Sequence, residues 1–256
     1  MKTNQAFRNL SDIAGPHVAR IILDAMPNMS HIRLWYVARA LRRGMPVAKI
    51  IHNKWFYGLR FYTNKHTLDP RPDTETLVNA VLQDYAHVKH FTIADIGTGT
   101  GCIICAIVKN TNATGIAIDK SHAALRVARK NIHDLELNNK IVVQHGDFNQ
   151  ASALPKKFAD VIVSNPPYIA RGDTRVDAGA MQDPKMALFA GNDGFAAYMA
   201  IAKNGKQWIK DGGRIYIEIG IDMAEKVKKI FTDSGWNFIK SINDLGDITR
   251  VLVFKI

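Results

Sequence analysis

The chain has 256 residues, 47% of them hydrophobic and 22% charged, with a formal charge of +11; this is the balance of a globular protein with a substantial core. The length suits one α/β domain with a small accessory domain. No run approaches the roughly 18 uninterrupted apolar residues of a membrane span, two cysteines exclude a disulfide scaffold, and the opening MKTNQAFRNLSDIAG lacks a signal-peptide core, so a cytoplasmic location without a membrane partner is expected.

Residues 1–66 carry eleven lysines and arginines against Asp12 and Asp24, which makes that quarter +9 and leaves +2 for the remainder. Such a region predicts an acidic partner, protein or nucleic acid, although solvated helix faces would have the same composition. Residues 4–52 lack β-rich runs and read as short helices. Ile21, Ile22 and Leu23 sit in one before a break at Pro27. Ile32, Trp35, Val37 and Leu41 sit in another, ended by Gly44 and Pro46. Trp35 and Tyr36 read as packing residues. Residues 1–54 are thus expected to be a helical, partner-binding domain, and 55–73 a β-hairpin around Gly58 plus a linker. Pro70 and Pro72 hold that linker extended, and Asp73 or Thr74 stands where it can cap a helix bearing Leu77, Val78, Val81 and Leu82.

From residue 91 strands and helices alternate. Strands are expected at 91–96, 114–118, 141–145, 160–164, 214–219, 237–242 and 250–254, with helices at 102–109, 121–136, 195–210 and 222–234. This predicts a doubly wound α/β domain over 74–256, with a mostly parallel seven-stranded sheet. The short connection 243–249 makes the last strand antiparallel to its predecessor.

Polar or aromatic groups fall at the carboxyl ends of four consecutive strands, the edge where open α/β sheets bind ligands. The first ends in Asp95-Ile96-Gly97-Thr98-Gly99-Thr100-Gly101, a tight turn that admits close approach of a ligand. Cys102 stands where a dinucleotide fingerprint would continue, which argues against a nicotinamide cofactor. Asp119 ends the second strand, where it can accept from two ribose hydroxyls. Asp147 and Phe148 end the third, where an acid can meet an amino group and a ring can stack on a base. The fourth ends in Ser164-Asn165-Pro166-Pro167-Tyr168-Ile169. Two prolines cannot extend a ladder, so the chain leaves the sheet at Asn165. Its side-chain oxygen and a proline carbonyl can each accept one N–H of a substrate nitrogen, with the Tyr168 ring beside a planar group. Cys102 and Cys105 read as small buried thiols, the nine histidines show no metal-ligand spacing, and no metal is expected. Asp160 and Glu218 fall in strands, Glu218 near the pocket border, and neither reads as a general base.

The pattern resembles the class I S-adenosylmethionine-dependent methyltransferases. Within them the chain resembles the HemK family, the peptide chain release factor glutamine methyltransferases, over nearly its whole length. The likeness is carried by Arg71-Pro72-Asp73-Thr74-Glu75, Asp95 to Gly101, Asn165-Pro166-Pro167-Tyr168, Asp183-Pro184 with Ala187-Leu188, Gly191 to Gly194, and Asp244 to Arg250. Asn-Pro-Pro-Tyr alone is shared with nucleobase methyltransferases; its combination with Arg-Pro-Asp-Thr-Glu is specific. Phe148 stands where the family commonly has Trp, and the first sixty residues match poorly.

The resemblance implies methyl transfer from S-adenosylmethionine to the side-chain amide nitrogen of a glutamine in release factors, the protein partners. Gly97, Thr98, Gly99, Thr100 and Gly101 would contact the methionine end of the cofactor, Asp119 its ribose and Phe148 its adenine. Asn165 would border both ligands, and Asn165, Pro166, Pro167 and Tyr168 would hold the glutamine, with Asn165, Pro166 and Tyr168 as the catalytic set. A monomer is expected. Nucleic acid is not required, and any contact with it would use the basic amino-terminal region. The alternative is methylation of an exocyclic amine of an RNA or DNA base, which offers the same two N–H groups and suits the basic first quarter.

Overall fold

The computed structural model describes residues 3–172, 182–191 and 193–256. Four helices open the chain: α1 (Thr3–Ala14), α2 (Pro16–Ala25), α3 (His31–Arg42) and α4 (Val47–Ile51). Pro16 starts α2 at a position where its missing N–H costs nothing, and Ser30 caps α3 by accepting from the Arg33 N–H at 3.2 Å. Leu10, Ala19, Ile22, Leu34, Val37 and Ile50 make a core separate from that of the sheet. Trp35 and Tyr36 do not join it. They are 54% and 62% exposed beside Ile32 at 72%, which corrects their reading as packing residues. The buried stripe runs through Leu34, Val37 and Ala38, and helical spacing turns 35 and 36 outward.

Strands β1 (Lys54–Phe56) and β2 (Leu59–Phe61) form the expected hairpin. Its two-residue turn, Tyr57 and Gly58, has φ of 49° and 70°, the double left-handed conformation that matches strand twist. Phe56 and Phe61 are buried in the core of the sheet domain rather than that of the helices. A 3-10 turn (Pro72–Thr74) leads into α5 (Glu75–Asp84).

The sheet domain follows as β3 (Thr92–Ile96), α6 (Cys102–Lys109), β4 (Thr114–Asp119), α7 (His122–Asp134), β5 (Ile141–His145), β6 (Ala159–Ser164), α8 (Lys185–Leu188), α9 (Ala196–Trp208), β7 (Ile209–Glu218), α10 (Ala224–Asp233), β8 (Asn237–Asn243) and β9 (Thr249–Lys255). The strand order is β5-β4-β3-β6-β7-β9-β8. The pairs from β5 to β7 are parallel, and β9 runs antiparallel to both β7 and β8.

Alternation within each strand feeds two cores. Ile93, Val161, Val163, Tyr216, Val251 and Val253 face α5, α6 and α7. Ala94, Ile162, Ile215, Ile217, Leu252 and Phe254 face α9 and α10. Strands covered on both faces read as near-continuous apolar runs, and this made them legible. The exception is β7, which begins at Ile209 rather than 214. Lys210-Asp211-Gly212-Gly213 has no apolar alternation, yet Ile209 pairs with Ala159 and Lys210 meets Asp160 at 2.8 Å. No helix among the described residues is long and apolar enough to cross a membrane.

Candidate active site

Strand order reverses between β3 and β6, so the loops leaving their carboxyl ends diverge and open a crevice. A cavity of about 510 Å³ occupies it, within the range of small-molecule sites. One wall is the glycine loop after β3. Gly97 and Thr98 donate to the Ile118 carbonyl at 2.9 and 2.8 Å. Gly97 and Gly99 have φ of 75° and 57°, and a Cβ on Gly97 would meet nothing within 4 Å, so bare backbone borders the cavity. Gly97, Thr98, Gly99 and Thr100 line it. Gly101 does not, because it turns into α6 against Ala128 and Cys105.

Asp95 sits behind this loop, fully buried. One carboxylate oxygen accepts from the Thr98 hydroxyl at 2.6 Å, and Oδ1 has no partner among the described residues. Burial pushes its carboxyl up to about 7, against the Thr98 bond. Asp119, at the end of β4, lines the cavity and accepts from Gly99 N at 3.0 Å and Ser121 N at 2.8 Å. Burial raises its pKa despite these bonds. Each oxygen keeps a second lone pair for a ligand hydroxyl. Phe148 lines the cavity half-buried, its carbonyl held by Asn204 Nδ2 at 2.8 Å. Asp147 is also on the wall, with its oxygens engaged by Lys120 at 2.7 Å and by Asn149.

The opposite wall contains Asn165 and Pro167. Ser164 ties the end of β6 to β3 through the Ile96 carbonyl at 2.6 Å, which sets Asn165 beside the glycine loop. Asn165 Nδ2 donates to Thr74 Oγ1 at 3.1 Å. A planar amide carries nitrogen and oxygen on opposite prongs, so Oδ1 is turned away from Thr74. Pro166 is buried, and neither it nor Tyr168 lines the cavity. The Tyr168 ring packs on Gly220, where a Cβ would come within 3.0 Å of it, and burial pushes its hydroxyl up to about 12. It braces the turn from behind.

The Arg71 to Glu75 segment stitches this wall together. Arg71 pairs with Asp183 at 2.9 Å, Asp73 with Arg250 at 2.9 Å, Thr74 accepts from Asn165, and Glu75 accepts from Tyr57 N at 2.7 Å. Neither Asp73 nor Thr74 caps α5 by a side-chain bond, which corrects the capping expectation: both side chains reach across the fold instead. Asp183 and Pro184 begin the segment that zips onto the Asn-Pro-Pro-Tyr turn, with Ile169 N on the Leu188 carbonyl at 2.9 Å and Ala190 N on the Ile169 carbonyl at 3.0 Å. Asn192 and residues 173–181 lie outside the described residues.

Lys49, from α4, is 5% exposed. Its ammonium lies 2.7 Å from Asp69 and 3.0 Å from Asp183 and donates to the Asn64 carbonyl at 2.8 Å, so the helical bundle grips both lips of this wall. Cys102 and Cys105 are free and buried, and burial pushes the Cys102 thiol up to about 12. Among the described residues no three or more His, Cys, Asp or Glu side chains converge as a metal site.

Residues 67–183 match the family model described as the methyltransferase small domain. The release factor glutamine methyltransferase of Caulobacter vibrioides is 36% identical over 221 residues, covering 85% of this chain and 75% of its own. The chain belongs to the release factor glutamine methyltransferase family. Its sheet domain has the class I methyltransferase fold. A SAM-dependent methyltransferase of Aquifex aeolicus matches with TM-score 0.50 at 17% identity, covering 72% of this chain and 93% of that one. A ribosomal protein L11 methylase of Lactobacillus delbrueckii subsp. bulgaricus matches with TM-score 0.52 at 16% identity, covering 73% and 81%.

As a member of this glutamine methyltransferase family, the chain brings most of the expected cofactor residues onto one wall and Asn165 with Pro167 onto the facing one. Lys49, Thr74, Asp95 and Asn131 were not expected as site residues, and Glu218 was expected only near the pocket border. Asn131, on α7, donates to the Thr100 carbonyl at 2.8 Å and the Tyr62 carbonyl at 3.0 Å. A buried polar residue in an apolar helix face was the available signal for it. Lys49 gave none, because its partners are distant in sequence; Thr74 lay within the Arg71–Glu75 motif, which marked the segment but not its partner.

Proposed function

We propose that the protein transfers a methyl group from S-adenosylmethionine to the side-chain amide nitrogen of a glutamine in a peptide chain release factor. One observation carries this reading: Thr74 engages the nitrogen of Asn165, so an acceptor oxygen faces away from it on the wall opposite the glycine loop. The cavity suits the cofactor. Asp119 has lone pairs for ribose hydroxyls, and Phe148 offers a ring face for adenine. Asp147 would stand at the base edge.

S-adenosylmethionine, when bound, supplies an electrophilic methyl group on a sulfonium. The protein's task is the nucleophile, since an amide nitrogen delocalises its lone pair into the carbonyl. Asn165 Oδ1 and the Pro166 carbonyl would accept the two N–H bonds of the glutamine amide, aim the nitrogen and favour positive charge on it. Orientation of this kind supplies on the order of 7–11 kcal/mol in favourable systems, and aimed acceptors add electrostatic stabilisation. The methylated amide cation is a strong acid and loses its proton to water, so no general base is needed. Asp160 fits that view: it is occupied by Thr92 and Lys210 at the opposite end of β6.

The proposed division of labour follows the two cores. The helices to α4 would receive the release factor, using the basic charge of the first quarter and the exposed Ile32, Trp35 and Tyr36 of α3, where Arg39 stacks 5.3 Å above the Trp35 ring. The sheet domain would carry the chemistry. A release-factor substrate also implies the cytoplasmic compartment.

The test is transfer of labelled methyl from S-adenosylmethionine to purified release factors, with total RNA and DNA in parallel. Label in a release factor that disappears when its acceptor glutamine is replaced is the expected result. Label in nucleic acid alone overturns the reading in favour of a base amine, with the +9 of residues 1–66 then acting on phosphates.

A further inference from the structure

Glu218 ends β7 directly behind Asn165 and is 2% exposed. The methyl transfer described above makes no use of it. Ile217 before it pairs with Ser164, so its carboxyl lies beside the Asn165 amide and the Thr74 hydroxyl, and its Oε2 has no partner among the described residues. A buried carboxyl with an unanswered oxygen is costly, and a neutral amide of the same shape would fit there at less expense.

We propose that Glu218 is a positioning residue for methyl transfer: its carboxylate accepts the Thr74 hydroxyl proton, which sets the direction of the Thr74–Asn165 hydrogen bond and so presents Asn165 Oδ1 to the substrate nitrogen. The inference rests on the glutamine-methylation reading of the same site and deepens it. A carboxylate only accepts. The single Thr74 proton is therefore committed to Glu218, and the Thr74 oxygen has only lone pairs left for Asn165. Asn165 must turn its NH₂ toward Thr74, as it does at 3.1 Å. A flipped amide would set its oxygen against an oxygen lone pair. Protonation of Glu218 releases the constraint, because the acid can then donate and either amide orientation becomes satisfiable.

Burial, then the Thr74 bond, Asp73, Arg250 and Asn165 act on this carboxyl, with a net shift up to about 7. Tyr168, Tyr198 and Cys102 also face it, and burial holds their protons on across the neutral range. The acceptor-only form of Glu218 thus becomes dominant as pH rises through neutrality, and kcat should rise with it.

The experiment compares wild type with Glu218→Gln, Thr74→Val and Thr74→Ser. It reads kcat and KM for labelled-methyl transfer to a release factor from pH 5.5 to 9, S-adenosylmethionine affinity by calorimetry, and Tm. Glu218→Gln should lose kcat on the order of ten- to a hundredfold and lose the acidic limb of its pH profile. Its cofactor affinity should stay within about twofold, and its Tm at pH 8 should match or exceed wild type. Thr74→Val should lose kcat likewise, while Thr74→Ser keeps the hydroxyl and stays within about threefold. An active wild type whose Glu218→Gln or Thr74→Val variant keeps both kcat and the limb overturns this inference alone. So does a Glu218→Gln variant that loses Tm and cofactor affinity together. A wild type that labels no release factor overturns the functional reading and this inference with it.

Discussion

The two walls of the cavity are built in different ways. The glycine-loop wall is local: Gly97 and Thr98 hang on the neighbouring strand, and Asp119 answers Gly99 and Ser121 within one β-α-β unit. The Asn165 wall is assembled from distant segments. Thr74 reaches Asn165 across 91 positions and Arg71 reaches Asp183 across 112, while Lys49 joins them from another core. A wall of backbone tolerates side-chain change and binds by shape. A wall of long-range side-chain bonds depends on every partner, and it can be set by events elsewhere in the fold.

The largest effect that would sharpen this contrast is at Asn165. Asn165→Ala should lower kcat on the order of 10²–10³-fold while leaving cofactor affinity nearly unchanged in a calorimetric titration; weaker cofactor binding would place Asn165 on the wrong wall. Lys49→Met leaves Asp69 buried without a cation and Asp183 with Arg71 alone. It should cost about 3–5 kcal/mol in urea unfolding, and an unchanged midpoint would show that the wall does not need the bundle. Asp119→Ala should act in the opposite sense to Asn165→Ala. Cofactor binding should weaken by about 1–3 kcal/mol, with kcat at saturating cofactor largely retained.

A separate effect is a pH dependence of stability. Asp95 and Glu218 are both raised to about 7 from ordinary values of 3.8 and 4.5. Between those limits the folded protein holds protons that the unfolded chain has released, so stability falls as pH rises through that window. Calorimetric Tm should therefore decline from pH 5 to 8, and Glu218→Gln should flatten part of the decline. A steeper decline in the variant would contradict the assignment.

The same contrast explains what was legible beforehand. The strands of the sheet, the β1–β2 hairpin and the antiparallel β9 could be read because apolar runs and turn residues are local signals. The first part of β7 could not, since Lys210 to Gly213 carries no apolar pattern and lies in the irregular stretch between the paired Ile209 and Arg214. Gly97 to Thr100, Asp119 and Phe148 announced themselves by position after strands. Thr74 looked like a helix cap, a local role that tertiary contact overrode. Trp35 and Tyr36 looked like core because size and hydrophobicity favour burial, but their phase on α3 placed them outside it.

By itself the sequence determined the succession of elements, the glycine loop, the Asn-Pro-Pro-Tyr turn and the amino-terminal excess of charge. Each of these follows from periodicity, backbone restriction or composition within a few neighbours. Only the tertiary structure decided which way the Asn165 amide points, that Glu218 stands behind it, and that Lys49 holds the lips of the pocket. Those facts depend on pairs of side chains far apart in the chain, brought together when β6, β7 and the Arg71–Glu75 segment pack on one another.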